Sequence, residues 1–361
     1  MRLLQVSAAV SLALCATAAT ASGTFIELPM SDLQVTKLTG NGEYAVGSKF
    51  SDGAVRWTAS TGALDTVSSL YIGLGVNNAG TLSGSVAIDG GASLGGTDIG
   101  AYAAVGGEAV QLTDMLQSDS TAYDIADDGT VVGLSFGHEF VGPAIAFVWT
   151  PAEGMVALPA PRPDTYSRAN VISADGHVIA GWNDQDDGFR SAVIWRDRVG
   201  LDVVDKDGLA VGEADGISAN GQYVVGCFYT DAGGNMGAWR WDAKNGVVMI
   251  PGMTFAFGVS ADGNTVVGNT DFFDFPPRAA MIWRNGIGTM PLADYLAEQN
   301  IEIPDGWDLG GGLGGISADG RTLAGWGVGP LASPNFGSQS YVIRIDAPDP
   351  IFTDGFDGEP R

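Results

Sequence analysis

Ile172-Ser173-Ala174-Asp175-Gly176 recurs unchanged as Ile316-Ser317-Ala318-Asp319-Gly320, and five variants of the phrase lie elsewhere in the chain. The variants are Leu38 to Gly42, Val76 to Gly80, Ile125 to Gly129, Ile217 to Gly221 and Val259 to Gly263. A further glycine follows each phrase after apolar or β-branched residues: Gly47, Gly84, Gly133, Gly181, Gly226, Gly268 and Gly325. A third element is a small residue three positions before a tryptophan, at Ala54 to Trp57, Ala146 to Trp149, Ala192 to Trp195, Ala238 to Trp241 and Ala280 to Trp283. Ala101 to Ala104 and Ser340 to Ile343 keep that frame without the tryptophan. Met155 to Pro159, Val247 to Pro251 and Gly288 to Leu292 form a fourth element in several units. The unit therefore repeats seven times, about every 45 residues.

Each element is a short run rich in Val, Ile, Phe, Tyr and Trp, bounded by Gly, Asp, Asn or Pro, which is the pattern of a strand. Asp-Gly and Asn-Gly between apolar runs make hairpin turns, because glycine accepts the positive φ these turns need. Four strands per unit cannot bury both faces of one twisted sheet, so units must stack on their neighbours. The expected fold is all-β: a seven-bladed β-propeller spanning residues 22–345, with one short helical insertion before the last blade. Leucine-rich repeats are shorter, helical solenoids need a 3.6-residue apolar period that is absent, and a pair of β-sandwiches would not repeat its core pattern. The recurring tryptophans read as core, since large aromatics between packed sheets supply much of the buried area. Residues 291–300 form the insertion, with Leu292, Tyr295, Leu296 and Gln299 along one helical face. The seventh unit lacks a fourth strand of its own. Residues 24–29 resemble the fourth strands of other units down to the terminal Pro29, and are expected to pair with Tyr341 to Ile345 as a closing strand that removes an open edge.

The turn phrases followed by Ala-Phe-Val-Trp at 146–149 resemble the HAF-type repeat family of bacterial extracellular proteins, over nearly the whole of residues 22–345. The run from Leu292 to Gly320, a helix, a Gly-Trp turn and then the ISADG phrase, is similar to the terminal repeat of such proteins. The histidine that names the family is replaced here by Ile145, Ser191, Gly237 and Ala279 in the corresponding units. The resemblance implies a secreted or cell-surface repeat protein with no established chemistry.

Residues 1–21 read as a signal peptide. Arg2 is followed by an uncharged stretch of apolar and small residues, and Ala19-Thr20-Ala21 is a small-x-small cleavage pattern. The stretch is diluted by Ser, Thr and Gln and is a poor membrane anchor; no later segment is apolar enough to span a bilayer. Bulky Leu14 before Cys15 argues against lipoprotein attachment. Removing the leader takes the formal charge from −25 to −26 and leaves Cys227 without a disulfide partner. Such an acidic chain is not expected to bind nucleic acid or anionic membranes, which need clustered Lys and Arg. Residues 346–361, rich in Pro and Asp, read as a flexible C-terminal tail.

Motifs that carry chemistry are sparse. Gly91-Ala92-Ser93-Leu94-Gly95 matches a nucleophile elbow but lacks the strand–turn–helix setting, and only His138 and His177 could act as its base. Gly310, Gly312 and Gly315 spell a dinucleotide-binding pattern, yet a strand follows where a helix is required. The acidic run Asn183 to Gly188 is dense enough for calcium but departs from the EF-hand pattern, and reads as a solvated turn. No catalytic, cofactor-binding or metal residues are assigned. The expected function is a monomeric binding scaffold at the cell surface or in the extracellular space, or alternatively in the periplasm, for a protein or glycan partner. The rival is an extracellular carbohydrate-active or hydrolytic enzyme with acids lining the propeller channel. Exported protein is expected to begin at Ser22; N-terminal sequencing that finds Met1 intact on it would refute the leader.

Overall fold

The structure, a computed structural model, describes residues 22–49, 52–88, 97–112, 119–136, 143–230, 236–270, 279–334 and 337–346. Seven four-stranded antiparallel sheets form the blades of a β-propeller. Their innermost strands are Leu33–Leu38, Ile72–Val76, Ser120–Ile125, Ser167–Ile172, Glu213–Ile217, Phe255–Val259 and Asp308–Ile316, which number the blades one to seven. The proposed leader, residues 1–21, and the tail from residue 347 lie outside the described residues.

The repeated phrase is the turn from the innermost strand to the second. Ser173 Oγ donates to Asp175 Oδ1 at 2.6 Å and accepts from the Val178 amide at 3.0 Å, while Asp175 also accepts from the His177 amide at 3.1 Å. Gly176 closes the turn at φ +78°. Ser317, Asp319 and Gly320 repeat this arrangement, with the Thr322 amide on Ser317 and φ +73° at the glycine. The phrase is therefore a compact hydrogen-bonding unit in which serine, aspartate and glycine each have one task.

The second repeated glycine answers to a bulge. Each innermost strand shifts register just ahead of its turn, between Val35 and Lys37, Gly73 and Gly75, Ala122 and Asp124, Ala169 and Val171, Ala214 and Gly216, Ala256 and Gly258, and Leu313 and Gly315, and the longer seventh one shifts a second time between Asp308 and Gly312. In every blade the residue before the shift pairs with the repeated glycine. A β-carbon on Gly181 would lie 2.0 Å from the Arg168 carbonyl oxygen, and the other six would lie 1.8–2.4 Å from the matching carbonyl. No side chain fits there.

A belt of hydrogen bonds joins these turns around the ring. The Asn41 amide donates to Asn78 Oδ1, Asn78 to Asp127, Asp127 to the Ala174 carbonyl and Ala174 to the Ala219 carbonyl. Asn220 Nδ2 then donates to the Ala261 carbonyl, Ala261 to Ala318 and Ala318 to Gly40. Each donor sits on one blade and its acceptor on the next, so the belt closes on itself.

Between blades the tryptophans divide into two groups. Trp57, Trp149 and Trp195 are buried, and Trp195 Nε1 donates to the Pro159 carbonyl at 2.8 Å. Trp241 and Trp283 are only half-buried, lying under the Arg196 and Arg240 guanidiniums of the preceding blades. In the fifth blade Trp239 takes the buried place instead, donating to the Cys227 carbonyl. The helix, Leu292–Glu298, buries Leu292, Tyr295 and Leu296 against a cluster containing Leu309, Tyr341 and Ile343.

The seventh blade takes its outermost strand from the N-terminal part of the chain, ahead of the first blade. Gly23–Ser31 pairs with Gln339–Ile345, with Thr24 opposite Arg344 and Glu27 opposite Tyr341. Phe25 stacks on Tyr341 with ring centres 5.3 Å apart, Leu28 is buried, and the Asp346 amide donates to the Ser22 carbonyl at 2.7 Å. Burying Leu28 alone is worth about 1.5–3 kcal/mol. Deleting residues 22–30 is expected to lower the melting temperature by about 5 °C or more, or to cause aggregation through the exposed edge. Equal melting of the truncated and full chains would show that closure contributes nothing.

Candidate functional site

The seven innermost strands surround an axial cavity of about 360 Å³. Aligning the repeats on their turn phrases shows how the strands furnish it. The position two residues before the phrase is Thr36, Leu74, Tyr123, Asn170, Asp215, Phe257 and Gly314, and all seven line the cavity. The position immediately before the phrase is glycine in four blades and Val171 in a fifth. Close approach of neighbouring strands explains two of the glycines: a β-carbon on Gly75 would lie 2.7 Å from Asp124 Cα, and one on Gly216 would lie 2.3 Å from the Phe257 carbonyl oxygen. The two remaining blades carry Lys37 and Asp124 at this position, and these pair with each other across the second blade.

The cavity has two unlike walls. Phe257, Leu313, Ile316 and Trp326 of the sixth and seventh blades make an apolar side, and Leu74 and Val76 of the second blade add an apolar patch between Lys37 and Asp124. Trp326 lies against Gly311 and Gly312, where β-carbons would come within 2.4 and 2.6 Å of its ring. The dinucleotide-like spacing at Gly310, Gly312 and Gly315 therefore belongs to a strand, and serves packing. The opposite wall is charged. Asp124 meets Lys37 Nζ and accepts from the Ile172 and Ile125 amides, both at 2.8 Å. Glu213, buried just behind the wall, is gripped by Arg168 and Arg190 and accepts from Asn170 Nδ2 at 3.0 Å. Arg168 stacks between Tyr123 and Trp182, and Arg190 lies over Trp182 at 4.3 Å.

Asp215 lines the same wall, where the Cys227 thiol donates to its Oδ2 at 2.9 Å. Burial, reinforced by the nearby Glu213 charge, holds the Asp215 carboxyl well above the usual carboxylate range. Burial also pushes the Cys227 thiol up, with Asp215 adding to it, so the thiol stays protonated and unreactive. Glu213, Asp215 and Cys227 offer ligand atoms within 4.8 Å of one another, the one such group among the described residues. They are a poor donor set for a metal: two guanidiniums already neutralise Glu213, and the other two groups would each have to lose a proton.

Sequence reasoning assigned no site, and none of these residues stood out in the linear chain. The signal lay in the aligned columns, where Lys37 and Asp124 interrupt a run of glycines. The motifs weighed from sequence fall elsewhere. Ser93 and His138 lie outside the described residues. His177 is exposed in a belt turn, 3.6 Å from Asp197. Asn183 is buried and occupied by Arg162, Thr165 and Tyr166, so the acidic run at 183–188 opens with a structural side chain.

No protein-family model and no characterised protein sequence matches the chain. Among solved structures it is similar to the WD40 repeats of RRP9, with 13% identity, 91% of this chain and 99% of that chain covered, and a TM-score of 0.52. A second similar structure is TolB from Acinetobacter baumannii, with 16% identity, 60% of this chain and 55% of that chain covered, and a TM-score of 0.42. The RRP9 likeness agrees with the seven-bladed propeller and extends to the fold alone.

The raised Asp215 carboxyl makes stability depend on pH. Its folded form keeps a proton that the unfolded chain releases near pH 4. Its stabilising contribution is thus complete below that pH and lost as pH rises towards the folded value, by at most about 1.4 kcal/mol per pH unit. Asp215→Asn, neutral at every pH, is expected to remove that slope. Urea midpoints of both proteins between pH 4 and 8 should diverge with pH; a constant difference would contradict the shift.

Proposed function

We propose that the chain is an exported member of the HAF-type repeat family, acting as a monomeric binding scaffold at the cell surface or in the extracellular space. Its partner is a protein or a glycan that engages the axial cavity. The leader-like residues 1–21 and the acidic composition support export into an aqueous compartment. Among the described residues no helix is long and apolar enough to cross a membrane.

The observation that carries the binding reading over the enzymatic one is the state of the cavity's carboxylates. Glycoside hydrolysis by paired acids needs one protonated carboxyl and one ionised carboxylate free to act. Asp215 suits the first role. Asp124 is taken up by Lys37 and two amides, and Asp127 by both the amide and the side chain of Asn78. Glu213 is held between two arginines. The acids are built into the wall, and what remains is a rigid pocket with one charged and one apolar side.

The test is a glycan array together with capture from culture medium, using the chain from residue 22 and a variant in which Leu74→Trp fills the cavity. The intact pocket is expected to retain a partner that the filled one loses. Release of reducing ends from a polysaccharide panel, abolished by Asp215→Asn, would instead establish the enzyme.

A further inference from the structure

In the Lys37–Asp124 and Arg168–Glu213 pairs of the charged wall the carboxylate is sunk and the cation is the more exposed partner. The Asp124 side chain is 2% exposed against 26% for Lys37, and Glu213 is 4% exposed against 22% for Arg168. A chain of net charge −25 has thus turned positive groups towards its own axis. We infer that the axial cavity is an anion site, taking a carboxylate group against Lys37 and Arg168 on a compact body whose apolar face meets Phe257 and Trp326. This deepens the binding reading and rests on it.

Three features give the assignment its chemistry. Asp124 is already held by the Ile125 and Ile172 amides, so Lys37 keeps donors to spare: an ammonium has three, and the pair uses one. Arg168 is fixed between two aromatic rings, and a preorganised guanidinium suits a planar carboxylate. Asp215, half-buried in this wall with the Cys227 thiol on its Oδ2, is held by burial well above the usual carboxylate range, which lessens the repelling charge beside Arg168. Asp127 sits at the belt end with its oxygens turned to Asn78 at 2.8 and 2.7 Å. The cavity volume lies at the small end of ligand pockets, which run about 300–1,000 Å³. It fits a single sugar ring or a small aromatic acid. The carboxylate could arrive free or as the last, acidic residue of a glycan.

Calorimetric titrations separate these sources. Galacturonate and benzoate are each compared with the neutral bodies galactose and benzyl alcohol, and galacturonate with its tetramer. At least one carboxylate should bind about ten-fold or more tightly than its neutral counterpart. A further gain for the tetramer identifies a glycan end, and equal binding a free acid. Lys37→Gln should weaken the carboxylate about ten-fold and leave the neutral compound unchanged. Because Lys37→Gln unpairs a buried acid, Thr36→Glu serves as a second variant. It places a negative charge on the wall at an exposed position and should abolish carboxylate binding in a protein that melts like the parent. The assignment is overturned if carboxylates and neutral bodies bind alike, if no carboxylate binds more tightly than about 10 mM, or if Thr36→Glu binds as the parent does. Partner capture that persists through such a result removes the anion site alone; loss of capture as well removes the scaffold with it.

Discussion

A carbonyl oxygen of the innermost strand, facing a residue with no β-carbon, is the contact on which this ring is built. The innermost strand of each blade bulges just ahead of its turn, and beside each bulge a repeated glycine faces a carbonyl of that strand so closely that no β-carbon fits. The bulge sets which side chains look along the axis and which pack against the next blade. It also delivers the strand to its turn in the orientation that lets one turn reach the next. A side chain at Gly181 or Gly226 would push the inner strand towards an axis where neighbours already approach within contact distance.

Chemistry collects where the sevenfold pattern is broken. Glycine before the turn lets inner strands crowd together, and where Lys37 and Asp124 replace it the wall acquires charge in place of closeness. The ion pair then reaches over a blade that contributes only Leu74 and Gly75 there. Arg168, Asn170, Glu213 and Asp215 come from two successive blades, so the polar wall is continuous across them, with Phe257 and Trp326 of the sixth and seventh blades on the apolar side. Burying so many charges is tolerable because each carboxylate has at least two donors.

Much of the fold was legible because its constraints are local. Ser173, Asp175 and Gly176 satisfy one another within a few residues, so the same turn needs nearly the same letters wherever it recurs. The closing strand could also be read, since Phe25 to Pro29 looks like a fourth strand without a blade. The cavity was harder to see. Its residues stand just ahead of the phrases that drew attention, and their meaning depends on distances between units. Glu213 and Arg168 are 45 positions apart and become partners only when the fourth and fifth blades stack. The tryptophans misled in part for the same reason: the motif fixes their place in a strand, while the neighbouring blade decides whether they are covered, as Trp195 is, or lie half-open beneath an arginine, as Trp241 does.

The belt of turns has a property separate from its strength. Every donor points to the following blade, so it reads the same from any starting place and has no first member. The covalent chain is linear, and the first and last described residues meet where Ser22 accepts from Asp346. Joining residue 346 to residue 22 by a short linker and opening the chain between two other blades would give a circularly permuted protein with the same belt, the same cavity and a different blade shared between its termini.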